Sequence, residues 1–145
     1  MIEQIKDINN AIICDNLLTK LIQDERQYDS YINSDFVVKD YYQNIINKED
    51  HLLYGYFINN EMVGYIYLKP IIVDNKKGYL IDALYVLDAY RRQGIGESLV
   101  KYGIDLIKDK VDFVDISVMS NNIAAFKLYE KIGFNNFKTL MRHIF

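Results

Sequence analysis

The run Ala89-Tyr90-Arg91-Arg92-Gln93-Gly94-Ile95-Gly96 sets two arginines and a glutamine in front of two glycines, and an amphipathic segment follows at once. Residues of these types at this spacing suit the holding of an anion. The first amides of a helix have no intrahelical acceptor and carry the positive end of its dipole. Glycines there leave the backbone open to a phosphate, and arginines add attraction. Two well-defined versions of such a site fail on the residues. A P-loop needs Lys-Ser/Thr after its second glycine, whereas Glu97-Ser98 follows Gly96. A dinucleotide fingerprint needs a third glycine where Leu99 stands. A simpler pyrophosphate cradle remains, beside the plainer alternative of a glycine-punctuated helix start with no ligand. The loop alone leaves both open.

Other reactive side chains are sparse. Cys14 is the one cysteine, so no disulfide framework exists, and neither His51 nor His143 has metal-ligand spacing to it. Cys14 falls at a helical core position with no partner histidine nearby in sequence, which reads as structural. Tyr129 follows Ile123 and Phe126 at helical spacing, so packing explains it until other context intervenes. Asp24, Glu25, Asp29 and Asp35 cluster in one polar stretch, as either a binding rim or a solvated loop.

These residues need elements to position them. Residues 2–8 read as a short first strand. Cys14, Leu17, Leu18, Leu21 and Ile22 predict a helix over about 9–23, and Val38, Tyr41, Tyr42, Ile45 and Ile46 repeat that spacing in a second helix. The apolar run 51–58 reads as a strand, Asn59-Asn60 as a hairpin turn, and 62–70 as its partner. DNKKG, 74–78, is a second turn and 79–86 a third long strand. Helical spacing returns at Ile95, Leu99, Tyr102 and Leu106. Residues 113–119 are a strand, Ile123 to Ile132 a last helix with Gly133 as its C-cap, and 134–145 hold one or two closing strands. The order predicts a mixed α/β sheet with helices on its faces.

The bulk numbers agree with one domain over 1–145 and a real core: 145 residues, 50% hydrophobic. The net charge of -3 argues against nucleic acid as a main partner, and no apolar run reaches the roughly 20 residues of a membrane span. The N-terminus lacks a basic region followed by an apolar core, so no signal peptide is expected. A cytoplasmic location is the expectation.

Two stretches together resemble the GNAT superfamily, the acetyl-CoA-dependent N-acetyltransferases. The family signature Arg/Gln-x-x-Gly-x-Gly/Ala stands complete as Arg91-Arg92-Gln93-Gly94-Ile95-Gly96. The second element, an Asn followed by a small-residue helix, Leu-Tyr and Gly-Phe, stands as Asn122, Ala124, Ala125, Leu128, Tyr129, Gly133 and Phe134. The close match covers about 79–134; the first 50 residues, which shape the acceptor site in this family, match only in pattern.

The resemblance implies a GNAT-like, mostly antiparallel central sheet of six to seven strands flanked by about four helices. It implies a splay between strands 79–86 and 113–119, with the pantetheine arm of acetyl-CoA in the gap. Leu84, Tyr85 and Val86 would then bind the cofactor through backbone groups, one amide facing the thioester carbonyl. Arg91, Arg92, Gln93, Gly94, Ile95, Gly96 and Glu97 would hold the pyrophosphate, and Asn122 the pantetheine or phosphate region besides capping its helix. Tyr129 would face the sulfur as general acid, and also count among the cofactor contacts. Asp82 is the candidate base: related polyamine acetyltransferases carry a glutamate nine residues before the first motif arginine, and strand parity sets Asp82 on the face of Leu84 and Val86. No metal enters. The implied reaction is acetyl transfer to a primary amine, a small cationic one, by direct attack in a ternary complex. Acetylation of a protein N-terminus or lysine is the alternative, and a non-catalytic acyl-CoA-binding module the third. Closing strands of this fold often pair between subunits, so a homodimer is one expected assembly.

Overall fold

The computed structural model describes Met1–Phe145. Its elements run β1 (Ile2–Gln4), α1 (Ile8–Asp24), β2 (Leu52–Ile58), β3 (Glu61–Val73), β4 (Lys76–Val86), α2 (Ile95–Ile107), β5 (Phe113–Ile116) and α3 (Ile123–Ile132). The strands form one sheet in the order β1-β2-β3-β4-β5, antiparallel throughout except for the parallel pair β4–β5. No helix is long and apolar enough to cross a membrane.

Local chemistry accounts for most boundaries. Asp7 caps α1, its carboxylate accepting the Asn10 amide at 3.1 Å. Asn59-Asn60 and Asp74-Asn75 all take positive φ, the conformation that a two-residue hairpin turn demands and that Asn and Asp tolerate. The second turn is therefore tighter than 74–78, and Lys76 to Gly78 already belong to β4.

The sheet has a helix on each face. On one, α1 packs Ala11, Cys14 and Leu17 against Leu53, Tyr65, Tyr67, Ala83 and Tyr85. On the other, α2 packs Ile95, Leu99, Val100 and Ile107 against Val63, Ile66, Leu68 and Ile81. Being covered on both sides, β3 is buried continuously from Met62 to Leu68, which is why its sequence is apolar without alternation. Cys14 is fully buried beside Met62, with Sγ 3.7 Å from Sδ, and burial pushes its thiol pKa up.

Several expectations are corrected. The sheet has five strands rather than six to seven, and there are three α-helices rather than four. No α-helix forms over Val38–Ile46, where the chain makes a single 3₁₀ turn at Tyr42–Asn44. Asp40 stands at φ 58, outside the helical region, and its oxygens accept from the Gln43 and Asn44 side chains. The Tyr42 amide is held instead by the buried Asp15 carboxylate at 3.0 Å. The strand expected over 113–119 stops at Ile116. Residues 135–145 form no strand: their spacing has strand character, but a strand exists only in a ladder, and no backbone pairs with this segment.

Candidate functional site

The phosphate-type loop lies where β4 gives way to α2. Arg92 takes φ 64 and Gly94 φ 78, so left-handed residues flank Gln93 and turn successive amides toward one side. The first amide with an acceptor in the new helix is that of Ser98, which donates to Gly94 O at 3.0 Å. The N–H groups of Arg92 through Glu97 donate to no protein atom. A Cβ on Gly94 would have nothing within 4 Å, and one on Gly96 would meet only Val86 Cγ2 at 3.9 Å. This is a backbone concavity open to an anion at a helix N-terminus, and a pyrophosphate fits its donors.

The two arginines do different things. Arg91 is spent within the protein. Its Nε donates to Val86 O at 2.9 Å, one terminal nitrogen meets Asp24 at 3.0 Å and the other meets Asp88 at 3.1 Å. The guanidinium also lies 5.1 Å above the Tyr85 ring, whose hydroxyl donates to Asp24 at 3.2 Å. Arg91 thus ties the end of β4 and the loop to the last residue of α1. Arg92 has no ion-pair partner and is exposed. Gln93 is likewise exposed, and Ile95 is anchored in the core beneath the helix start. Glu97 bridges Lys131 at 2.9 Å and Lys101 at 3.4 Å, which fastens α2 to α3; the hydrogen bond from Lys131 holds its carboxyl below the usual range.

Pairing of β4 with β5 ends at Ile81↔Ile116, while β4 runs on to Val86. From Asp82 onward β4 therefore has a free side. The Leu87 amide donates to Val63 O, so by alternation the backbones of Tyr85 and Leu87 face β3 and those of Leu84 and Val86 face the gap. Leu84 and Val86 thus present backbone groups to the gap, although Val86 O is engaged by Arg91. Tyr85 does not: its backbone faces β3 and its side chain packs on the α1 face.

Asp82 also departs from its expected position. The β3–β4 register passes from Tyr67↔Ala83 to Leu68↔Ile81, which leaves Asp82 as the extra residue of a bulge. The bulge breaks strand parity. Its exposed carboxylate points to the α1 side and accepts from Tyr41 Oη at 3.5 Å, whereas Leu84 and Val86 pack on the α2 side. Burial, then the Asp82 charge, raises the Tyr41 phenol pKa. The Tyr41 ring packs against Tyr42 and Tyr67, whose hydroxyls in turn join Tyr65 at 2.8 Å and His51 Nδ1 at 2.7 Å.

Tyr129 packs among the half-buried residues of the α2 face with Leu84, Val86 and Ile116, its ring 6.0 Å from that of Phe134. Its hydroxyl has no protein partner, and burial pushes its pKa up to about 12. Asn122 caps α3, its Oδ1 accepting the Ala125 amide at 3.3 Å. Tyr129 and Asp82 therefore lie on opposite faces of the sheet.

Two participants were not legible in the sequence. Asp24 was visible only as part of an acidic stretch, because its partner Arg91 is 67 residues away. Tyr41 read as a helical core position, and no sequence signal joins it to Asp82.

The chain matches the acetyltransferase (GNAT) family over residues 17–134. It is 31% identical over 103 residues to N-alpha-acetyltransferase 30 of Dictyostelium discoideum, covering 70% of this chain and 56% of that relative. It is 30% identical over 97 residues to streptothricin acetyltransferase of Escherichia coli, covering 66% and 54%. The chain therefore spans little more than half the length of these relatives. A mutant of a Bacillus halodurans protein shares the fold, with TM-score 0.86 at 16% identity over 100% of this chain and 99% of that one. The anion cradle, the parted strands and the match over most of the sequence converge: this chain belongs to the GNAT family, whose members use acetyl-CoA.

Proposed function

We propose that this protein transfers an acetyl group from acetyl-CoA to the α-amine of a peptide or protein N-terminus, by direct attack within a ternary complex. One observation carries the choice of acceptor: two of the four carboxylates in the acidic stretch that would suit a small polycation are already engaged. Asp24 is paired with Arg91 and accepts from Tyr85, and Asp29 is paired with Arg142 at 3.7 Å and accepts the Tyr31 amide. Only Glu25 and Asp35 of that stretch stay outside an ion pair.

Proton chemistry supports the same choice. The attacking amine must be neutral. An α-amine, with a reference pKa of about 7.7–8.0, is roughly a third neutral near pH 7.5, whereas a lysine is about 0.1% neutral. A site with one exposed carboxylate suits the α-amine. The name of the Dictyostelium relative points the same way.

The residues take the following parts. Acetyl-CoA supplies the activated thioester. The amides from Arg92 to Glu97 hold its pyrophosphate, Arg92 adds charge, and the Leu84 and Val86 backbones align the pantetheine arm in the gap. The amine forms the new C–N bond as the C–S bond breaks. Asp82, through water, takes the proton that the amine loses, and Tyr129 hydrogen-bonds the departing sulfur from the other face. A phenol near 12 donates a hydrogen bond to a thiolate more readily than it surrenders a proton to it.

A small amine is the second reading, favoured by the streptothricin relative. Thiol release separates the two. With acetyl-CoA, a peptide bearing a free α-amine should release thiol, whereas a polyamine, an aminosugar and an α-blocked peptide with a free lysine should not. Faster release with the small amines or the blocked peptide would overturn the N-terminal assignment. Acetyl-CoA binding with no release on any amine would favour the non-catalytic module.

A further inference from the structure

The turn that presents the cradle amides has little hydrogen bonding of its own. The backbones of Arg92 and Gln93 form no hydrogen bond with the protein. Arg92 also stands at φ 64, a left-handed conformation that an L-residue keeps only where its surroundings impose it. On the helix side the anchor is Ile95, buried in the α2 core. On the strand side the anchor is the Arg91 side chain. Its Nε holds the Val86 carbonyl at 2.9 Å, one terminal nitrogen meets Asp24 at 3.0 Å, and its face lies 5.1 Å over the Tyr85 ring. The same Asp24 oxygen, Oδ2, also accepts from the Tyr85 hydroxyl at 3.2 Å.

From this we infer that Asp24 is a positioning residue for acetyl-CoA: through Arg91 its carboxylate keeps the cradle amides aimed at the pyrophosphate. The inference rests on one part of the reading given above, the seating of the pyrophosphate on the amides from Arg92 to Glu97. Asp88 cannot do the same. Its side chain is 92% exposed and lies three residues from Arg91, so it moves with the turn and is screened by water. Asp24 closes α1, a helix packed on the sheet, and so supplies a fixed point outside the turn. One half-exposed ion pair contributes little by itself. A guanidinium held at all three nitrogens and against a ring is instead fixed in orientation, which suits the planar fork of arginine.

The sign of the effect separates positioning from plain attraction. Acetyl-CoA is a polyanion, and Asp24 is a carboxylate beside the cradle. By Coulomb interaction alone, neutralising Asp24 strengthens binding, the more so because it frees Arg91 to turn toward the phosphates. Where Asp24 positions the turn, neutralising it weakens binding. The amides then sample arrangements that do not match the pyrophosphate, and the apparent affinity falls with the competent fraction.

The test is calorimetric titration of the full chain with acetyl-CoA and with CoA, beside the Tm of each unliganded variant. In Asp24→Asn both dissociation constants should rise about five- to twentyfold, the size of effect that one charged hydrogen bond carries. Asp24→Glu keeps the carboxylate and should recover most of the loss. Arg91→Lys keeps the charge without the fork and should weaken binding similarly, with little further loss when Asp24→Asn is added. Asp29→Asn removes the same charge from the same stretch without touching Arg91, and should shift binding less than about twofold. Should Asp24→Asn fail to fold, Tyr85→Phe takes its place, with a smaller loss in the same direction. Unchanged or tighter binding in Asp24→Asn would overturn the inference, and with a lowered Tm would leave Asp24 a structural tie only. Additive losses in the double variant, or a loss for acetyl-CoA that CoA does not share, would overturn it too, since the pyrophosphate is common to both ligands. Gly96→Ala binding acetyl-CoA as tightly as the wild type would instead overturn the seating of the pyrophosphate on which the inference rests.

Discussion

Tyr129 carries a phenol with no protein hydrogen-bond partner and a pKa raised to about 12 by burial. Its proposed part is to steady the leaving sulfur. Tyr129→Phe should lower kcat by about 10- to 100-fold, at or below the low end for a general acid, with acetyl-CoA affinity changed less than about twofold. Equal turnover in both proteins would remove the role. The sign of the pH dependence follows from the upward shift: the protonated form persists well above the ordinary tyrosine value of about 10. Between roughly pH 8 and 9.5, kcat should therefore show no descending limb, and a fall near 9 would contradict the assignment. The two loop glycines make a second residue-scale test. Gly94 stands at φ 78, so Gly94→Val costs about 1–2 kcal/mol of backbone strain and lowers Tm, although nothing crowds its Cβ. Gly96 is helical, and alanine there meets only an ordinary contact. Gly96→Ala should hold or raise Tm and still weaken acetyl-CoA binding several-fold, which separates obstruction of the cradle from misfolding.

At the scale of elements, β4 does three jobs along its length. Its first half pairs with β5, its middle bulges at Asp82, and its end leaves a free side and passes into the loop. Its far end is kept in register by close approach to β3, since a Cβ on Gly64 would lie 2.9 Å from Tyr85 O and 3.3 Å from Val86 Cγ2. Gly64→Ala should therefore cost about 1–3 kcal/mol in chemical denaturation and weaken acetyl-CoA binding, because the strand that carries Leu84 and Val86 must shift. The bulge also shows the limit of period-two reasoning. Parity is valid only along an uninterrupted ladder, and one inserted residue moved Asp82 to the face opposite Leu84 and Val86. The segment around Tyr41 shows the corresponding limit for helical spacing, where apolar residues at i, i+3 and i+4 met a left-handed Asp40 and a ready side-chain partner in Asp15.

For the whole molecule, the α1 face depends on tyrosines that are buried as neutral phenols. Burial raises the pKa of Tyr42, Tyr65 and Tyr67, and α1, β3 and the 3₁₀ turn meet through them. A folded pKa above the unfolded value of about 10 gives stability that is fully present below pH 10 and lost as pH rises further. Thermal or urea unfolding should show stability falling from about pH 10 upward, with tyrosinate absorbance growing together with loss of tertiary structure. Ionisation of these phenols in a fully native protein would refute this. The sequence by itself determined the features set by neighbours in the chain: the hairpin asparagines, the helix start at Gly94, the cap at Asn122, the apolar run of β3, and the motif that marks the family. Those features depend on dihedral preferences and short-range hydrogen bonds, which residue types dictate. Tertiary structure alone decided that Arg91 is spent on Asp24, that Asp82 faces Tyr41, and that Asp29 is paired with Arg142. Each of these is a contact between residues far apart in sequence, fixed by how the helices lie on the sheet.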